Sequence, residues 1–202
     1  KDLFPLLLEK DDALFGYPSD GYWRDIGDLT EYQEAHRDSL AGRVKIDFPG
    51  DKDGKIYRGK GTRLQAEVNN LTGTVIIGEN CTIGENIRLA NTVIGDNVKI
   101  ESGASIENSI LWSDTIIRRG AHLNSDVVAS GTTVGEEAVI AENVFIGEKC
   151  SNGARARLSG NIKLWPAKIV EEGAVLTKSL VWEDRWLREL FADSRITGYS
   201  NI

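Results

Sequence analysis

Methionine is absent from these 202 residues, and there are only two cysteines, two histidines and four prolines. These shortages set bounds. Two histidines cannot build a three-histidine zinc site. A chain without methionine that opens on lysine reads as a cut piece of a longer polypeptide. No run approaches the ~20 apolar residues that cross a bilayer, and the apolar stretch Leu3 to Leu8 is interrupted by Pro5 and too short for a signal segment. Excess positive charge is also missing. The formal charge is −7, of which −6 falls in residues 1–40 and none in residues 41–181. A neutral body of this size has no field to draw nucleic acid or an acidic membrane, so neither is expected as a partner.

What the sequence does have is a repeat. From Ile77 to Leu176 an apolar residue returns every five or six positions: Ile77, Ile83, Leu89, then Ile94, Ile100, Ile106, and so on to Leu164, Val170 and Leu176. Only Asn152 breaks the rule. Three hexapeptides make one turn of a triangular coil, and turns begin at 77, 94, 111, 128, 146 and 164. The first three are therefore 17 residues long and the later ones 18, with the short step always at the third corner. Each apolar residue points into a prism. A second inward position, four residues on, is expected to take small side chains: Cys81, Ala104, Thr115, Ala121, Thr132, Ala138, Cys150, Ala156 and Ala174. Triplets such as Gly84-Glu85-Asn86 and Gly95-Asp96-Asn97 supply tight corners. Parallel stacking at ~4.8 Å per coil gives a column roughly 30 Å long, and such a solenoid needs several repeats before it buries a core.

Cys81 and Cys150 share one inward slot four coils, or roughly 19 Å, apart, far beyond disulfide reach. They read as buried fillers, which suits a reducing cytoplasm.

The flanks read differently. Asp2 to Lys10 suits a short helix capped by Asp2, and Ala13 to Tyr17 an apolar strand running into a turn. Gly21-Tyr22-Trp23-Arg24-Asp25-Ile26-Gly27 then leads into a helix over Leu29 to Leu40. Residues 47–54 read as a turn-rich linker, residues 56–61 as the entry to an irregular capping coil, and Trp182 to Phe191 as a helix lying across the last coil. The expected divisions are residues 1–40, a linker 41–58, the β-helix 59–181, and a terminal segment 182–202.

The repeat resembles the hexapeptide-repeat, left-handed parallel β-helix family, and the left hand is what that resemblance implies, since parallel crossovers are ordinarily right-handed. The fold class expected is mainly β, with a small α/β remnant ahead of the β-helix. Phe4-Pro5-Leu6-Leu7-Leu8, the Gly21–Gly27 motif and the helix opening Leu29-Thr30-Glu31-Tyr32 look like the last portion of a sugar-phosphate nucleotidyltransferase domain. Ile162-Lys163-Leu164-Trp165-Pro166, Ser179-Leu180-Val181-Trp182 and Leu190-Phe191 are similar to bacterial mannose-1-phosphate guanylyltransferases that carry such a β-helix. The segment from Arg195 to Ile202 looks like the opening of the phosphohexomutase domain fused to some of them.

The resemblance implies transfer of a nucleotidyl group from a nucleoside triphosphate to a sugar 1-phosphate, with GTP and mannose 1-phosphate the implied pair. It also implies a magnesium ion (Mg2+) held by two aspartates. Asp25 matches the second of these. Its partner and the family's glycine-rich phosphate loop are not found in the sequence, so these residues alone are expected to be inactive. On its own, Asp25 reads as a helix-capping or turn carboxylate ahead of residues 28–40. The competing reading is a hexapeptide-repeat acyltransferase or a non-catalytic binding solenoid. An acyltransferase would need a histidine base, but His122 occupies an outward slot beside no loop insertion and reads as solvated, as does His36 on the acidic helix.

Trp112 and Trp165 both follow a turn-opening residue and so fall in one outward column about three coils, roughly 14 Å, apart, with only Ala129 and Gly147 between. Two tryptophans flanking small residues suit an interface. The expectation is a homo-oligomer through the β-helix or docking of this face on other domains, against local packing of each ring.

Overall fold

A computed structural model describes residues 3–48, 50–65, 70–181, 185–186, 191–192 and 195–196. It is a left-handed parallel β-helix of about seven turns, in the register the repeat predicts. One face stacks Ile77 on Ile94, Leu111, Val128, Ile146 and Leu164. The second stacks Leu64, Ile83, Ile100, Ile117, Val134, Asn152 and Val170, and the third Leu71, Leu89, Ile106, Leu123, Ile140, Leu158 and Leu176. Every apolar member of these rows from Ile77 to Leu176 is buried. The corners need a residue with positive φ at each turn. Asn80, Asn97 and Asp114 meet this cheaply, whereas Glu137, Lys149, Arg155 and Ala167 hold φ of 54–59° without that help.

The second inward slot is less restrictive than expected. Ile87, Val98, Val144 and Ile162 occupy it and are buried. Ile87 stacks over Ala104, so volume is limited along the column and not residue by residue. At the third corner the slot turns polar over Thr92, Ser109 and Asp126, all fully buried. There the Asp126 carboxylate accepts the backbone N–H groups of Asn124 and Val144, each at 2.9 Å. Burial pushes its pKa well up despite these two bonds. This bridge stands where coil length changes from 17 to 18 residues.

Asn152 is the one polar member of the main inward rows, 1% exposed, and neither its Nδ2 nor its Oδ1 has a hydrogen-bond partner among the described residues. An unpaired buried amide costs about 1–3 kcal/mol. Asn152→Val, which would continue the Val134–Val170 row, is therefore expected to raise the thermal midpoint by about 2–4 °C for each kcal/mol recovered. A lower midpoint in calorimetry would mean that the amide is satisfied.

The flanks correct several expectations. The stretch read as a linker contains a hairpin, β1 (Asp51–Asp53) pairing antiparallel with β2 (Ile56–Arg58) around Gly54. Because β2 also pairs parallel with residues 75–77, the hairpin covers the open edge of the first coil. Helix α1 (Leu3–Glu9) forms with no buried residue, and Asp2, its expected cap, lies outside the described residues. Ala13 to Tyr17 is not a strand. No neighbour pairs with it among the described residues, and Phe15 and Tyr17 are more than 90% exposed. The helix expected over Trp182 to Phe191 falls mostly outside the described residues. Of its described positions, Arg185–Trp186 are instead extended and pair parallel with Ile169 and Val170, continuing the second face, and Phe191 pairs antiparallel with Ile196.

Candidate functional site

Helix α2 (Leu29–Leu40) is the hinge between the motif and the β-helix. Asp28, not Asp25, caps it: the Asp28 side chain accepts the Glu31 N–H at 2.8 Å, with Glu31 three residues on as in a capping box. The cap reading of Asp25 is thereby removed. Ahead of the cap, residues 22–25 belong to no helix or strand, and their side chains alternate in exposure. Tyr22 and Arg24 turn toward α2, while Trp23, 82% exposed, and Asp25 face solvent. Arg24 donates to Glu31 Oε2 at 2.6 Å, to Asp38 Oδ2 at 2.9 Å and, through Nε, to the Tyr22 hydroxyl at 3.2 Å. Tyr22 donates to the same Asp38 oxygen at 2.9 Å, and Arg43 to Oδ1 at 2.7 Å. The Tyr22 bond, followed by those from Arg43 and Arg24, holds the Asp38 carboxyl below its ordinary range against the opposing effect of burial. The bond to Glu31 foremost raises the pKa of Arg24.

Asp25 borders an open depression of about 480 Å³ together with Asp28 and Glu31. Asp28 is committed to the helix cap and Glu31 to Arg24. Among the described residues no group of three or more His, Cys, Asp or Glu side chains is placed to hold a metal ion. Magnesium thus does not fit these residues by themselves, since Asp25 offers one carboxylate and a hard cation needs several oxygen ligands.

Three contacts seat α2 on the first face of the β-helix. Gln33 Nε2 donates to the Ser125 carbonyl at 2.7 Å, Trp112 Nε1 to the Tyr32 hydroxyl at 3.1 Å, and Thr74 Oγ1 to the Leu40 carbonyl at 2.9 Å. Ile110 and Val127, outward by alternation, are nonetheless 5% exposed, consistent with the helix lying over them. Trp112 therefore has a partner within the chain, and its ring meets that of Tyr32 edge-on at 6.4 Å. Trp165 stands in the same column, 51% exposed, beyond the amino-terminal end of α2. His36 is only partly exposed. It packs edge-on against Tyr32 at 4.6 Å, and burial lowers its pKa from 6.5. As pH falls through 6.5 the unfolded chain takes up a proton that the folded one resists, so stability falls with pH in this window. Melting midpoints should decline from pH 7 to pH 5, with a flatter profile in His36→Phe; equal slopes would remove His36 from the linkage. His122 is exposed on the third face.

Asp38 and Arg24 are the site residues that sequence reasoning passed over. The i, i+2 spacing of Tyr22 and Arg24 was a signal for a shared face, but nothing in the pattern pointed to Asp38 as their partner.

Residues 53–158 match the family model described as EIF2B subunit epsilon LbH domain. Over 57 residues the chain is 39% identical to the glucose-1-phosphate adenylyltransferase of Bacillus thuringiensis (strain Al Hakam), a stretch covering 28% of this chain and 15% of that enzyme. The corresponding enzyme of Desulforamulus reducens is also 39% identical over 57 residues, covering 28% of this chain and 14% of its own length. Among solved structures, LpxA from Acinetobacter baumannii superposes with a TM-score of 0.54 at 16% identity, covering 63% of this chain and 58% of its own. The UDP-N-acetylglucosamine acyltransferase from Campylobacter jejuni gives 0.53 at 13% identity, covering 64% and 58%. At such identities these two likenesses concern the fold alone. Among the described residues no helix is long and apolar enough to cross a membrane.

Proposed function

The chain belongs to the family of the EIF2B subunit epsilon LbH domain, and from that premise we propose that it is the carboxy-terminal portion of a cytoplasmic nucleotidyltransferase that makes nucleotide sugars. The β-helix is of the kind carried by sugar-phosphate nucleotidyltransferases. In the proposed reaction a sugar 1-phosphate oxygen attacks the α-phosphorus of a nucleoside triphosphate, and the bond to the β-phosphate oxygen breaks to release pyrophosphate. GTP and mannose 1-phosphate are the pair we favour, on the likeness of the Gly21–Gly27 motif and of the Ile162–Pro166 segment. The segment from Arg195 onward would open a mutase domain. The observation that carries the reading is the joint itself: a Gly-Tyr-Trp-Arg-Asp-Ile-Gly segment presenting Asp25 is fastened to a β-helix of this family through α2.

The β-helix would serve assembly or regulation, and the proposed contact with a second copy includes the half-exposed Trp165. Magnesium, if the whole enzyme uses it, requires carboxylates beyond Asp25. The acyltransferase reading has only fold likeness behind it, and His122 is an exposed strand residue.

The test is pyrophosphate release by a polypeptide that joins a nucleotidyltransferase domain ahead of Lys1, assayed with GTP or ATP against mannose or glucose 1-phosphate. Turnover is expected with a sugar 1-phosphate and greatest with GTP and mannose 1-phosphate, whereas residues 1–202 alone should release none. Preference for ATP and glucose 1-phosphate would reassign the substrates, and acyl transfer without nucleotidyl transfer would overturn the proposal.

A further inference from the structure

Among the described residues no backbone–backbone hydrogen bond ties residues 22–27 to the rest of the molecule. Their path is nevertheless defined, and the side chains that define it converge on one group. Asp38 is 2% exposed, and its two oxygens take Tyr22, Arg24 and Arg43 at 2.9, 2.9 and 2.7 Å. Tyr22 and Arg24, two residues apart, are both drawn onto α2, while the residues that alternate with them, Trp23 and Asp25, are exposed. Arg24 is held twice more, by Glu31 and by Tyr22. Arg43 closes the carboxylate from beyond the end of the helix, where its own backbone N–H also bonds the Asp38 carbonyl at 2.9 Å.

We propose that Asp38 is a positioning residue: its buried carboxylate clamps Tyr22 and Arg24 to α2 and thereby presents Trp23 and Asp25 outward as a fixed pair. The purpose of the clamp rests on the nucleotidyltransferase reading of Asp25, but its geometry does not. α2 is in turn pinned to the β-helix by three contacts, so the presented face is referenced to the solenoid.

Trypsin reads the clamp directly, because cleavage after Arg24 requires its guanidinium to leave Asp38 and Glu31. Lys10, exposed and outside the network, provides an internal control. In the 202-residue chain, Asp38→Ala is expected to speed cleavage at Arg24–Asp25 by about tenfold or more with cleavage after Lys10 unchanged, since proteolysis follows the population of the open form. Asp38→Glu should restore much of the protection. Arg37→Met, on the same helix but paired with Glu34 and not with Asp38, should change it little. If Asp38→Ala disturbs the melt of the β-helix, Tyr22→Phe replaces it, removing one hydroxyl bond from a half-exposed ring, with several-fold faster cleavage at Arg24 expected. Cleavage at Arg24 as slow in these variants as in the parent chain, or no protection in the parent chain relative to Lys10, would overturn the proposal. No catalysis enters the readout, so an inactive joined enzyme would sink the functional reading and leave the clamp standing.

Discussion

Ile100→Asp is expected to cost several kcal/mol and to remove the cooperative melt of the coils around it. Ile100 is 1% exposed and stacked directly between Ile83 and Ile117, neither of which offers a polar atom to a carboxylate. An unpaired buried charge is among the costliest single changes a domain can suffer, and whole domains are stable by only about 5–15 kcal/mol. Because each coil contacts only its neighbours, the damage should spread along the column. Glu101, one residue on, faces outward and meets Lys99 at 3.1 Å and Arg118 at 2.9 Å. These are solvent-screened pairs, so Glu101→Ala should cost no more than about 1 kcal/mol. Calorimetry that found the two variants equally mild would reject the register of all three faces.

The second large effect is on rate. In a polypeptide joining a nucleotidyltransferase domain to this chain, Asp25→Asn is expected to lower pyrophosphate release by about 10²–10³-fold, the usual effect of removing one group that stabilises charge at a reacting centre. Asp25 qualifies because it is exposed and, unlike Asp28, Glu31 and Asp38, is not engaged by α2 or its cap. The substitution keeps size and removes charge, so the melt should not move. Parent-like turnover would return Asp25 to an ordinary solvated turn.

The β-helix was legible because one rule, an apolar residue every five or six positions, is imposed by every coil. It fixed the register through Asn152, the position that departs from it. The corners were legible as Gly and Asn triplets, but not where Glu137, Lys149, Arg155 and Ala167 adopt positive φ, since there the stack above and below imposes the conformation. The strand expected at Ala13–Tyr17 failed for the opposite reason: apolar composition makes a strand only where a neighbour pairs with it. His36 was misread because helical spacing does not say which face is covered until the covering surface is known. That surface is the outward side of a β-helix face, where Ile110 and Val127 look like surplus apolar residues in a repeat whose rule concerns only the inward ones. Asp38 was invisible for a related reason, as its partners come from 14 and 16 residues upstream.

The seat of α2 divides the solenoid into a counted part and an open-ended part. Gln33 reaches Ser125 and Leu40 reaches Thr74, positions at the same corner three coils apart. Seven helical residues rise ~10 Å, and with the reach of the glutamine side chain they match three coils at ~4.8 Å. Gain or loss of one coil between Thr74 and Ser125 would shift one anchor by a full coil and leave the helix too short or too long for its track. Past Ala129 no such gauge applies among the described contacts. Lineages can therefore lengthen or shorten this protein there, one coil at a time, without disturbing the joint that presents Asp25.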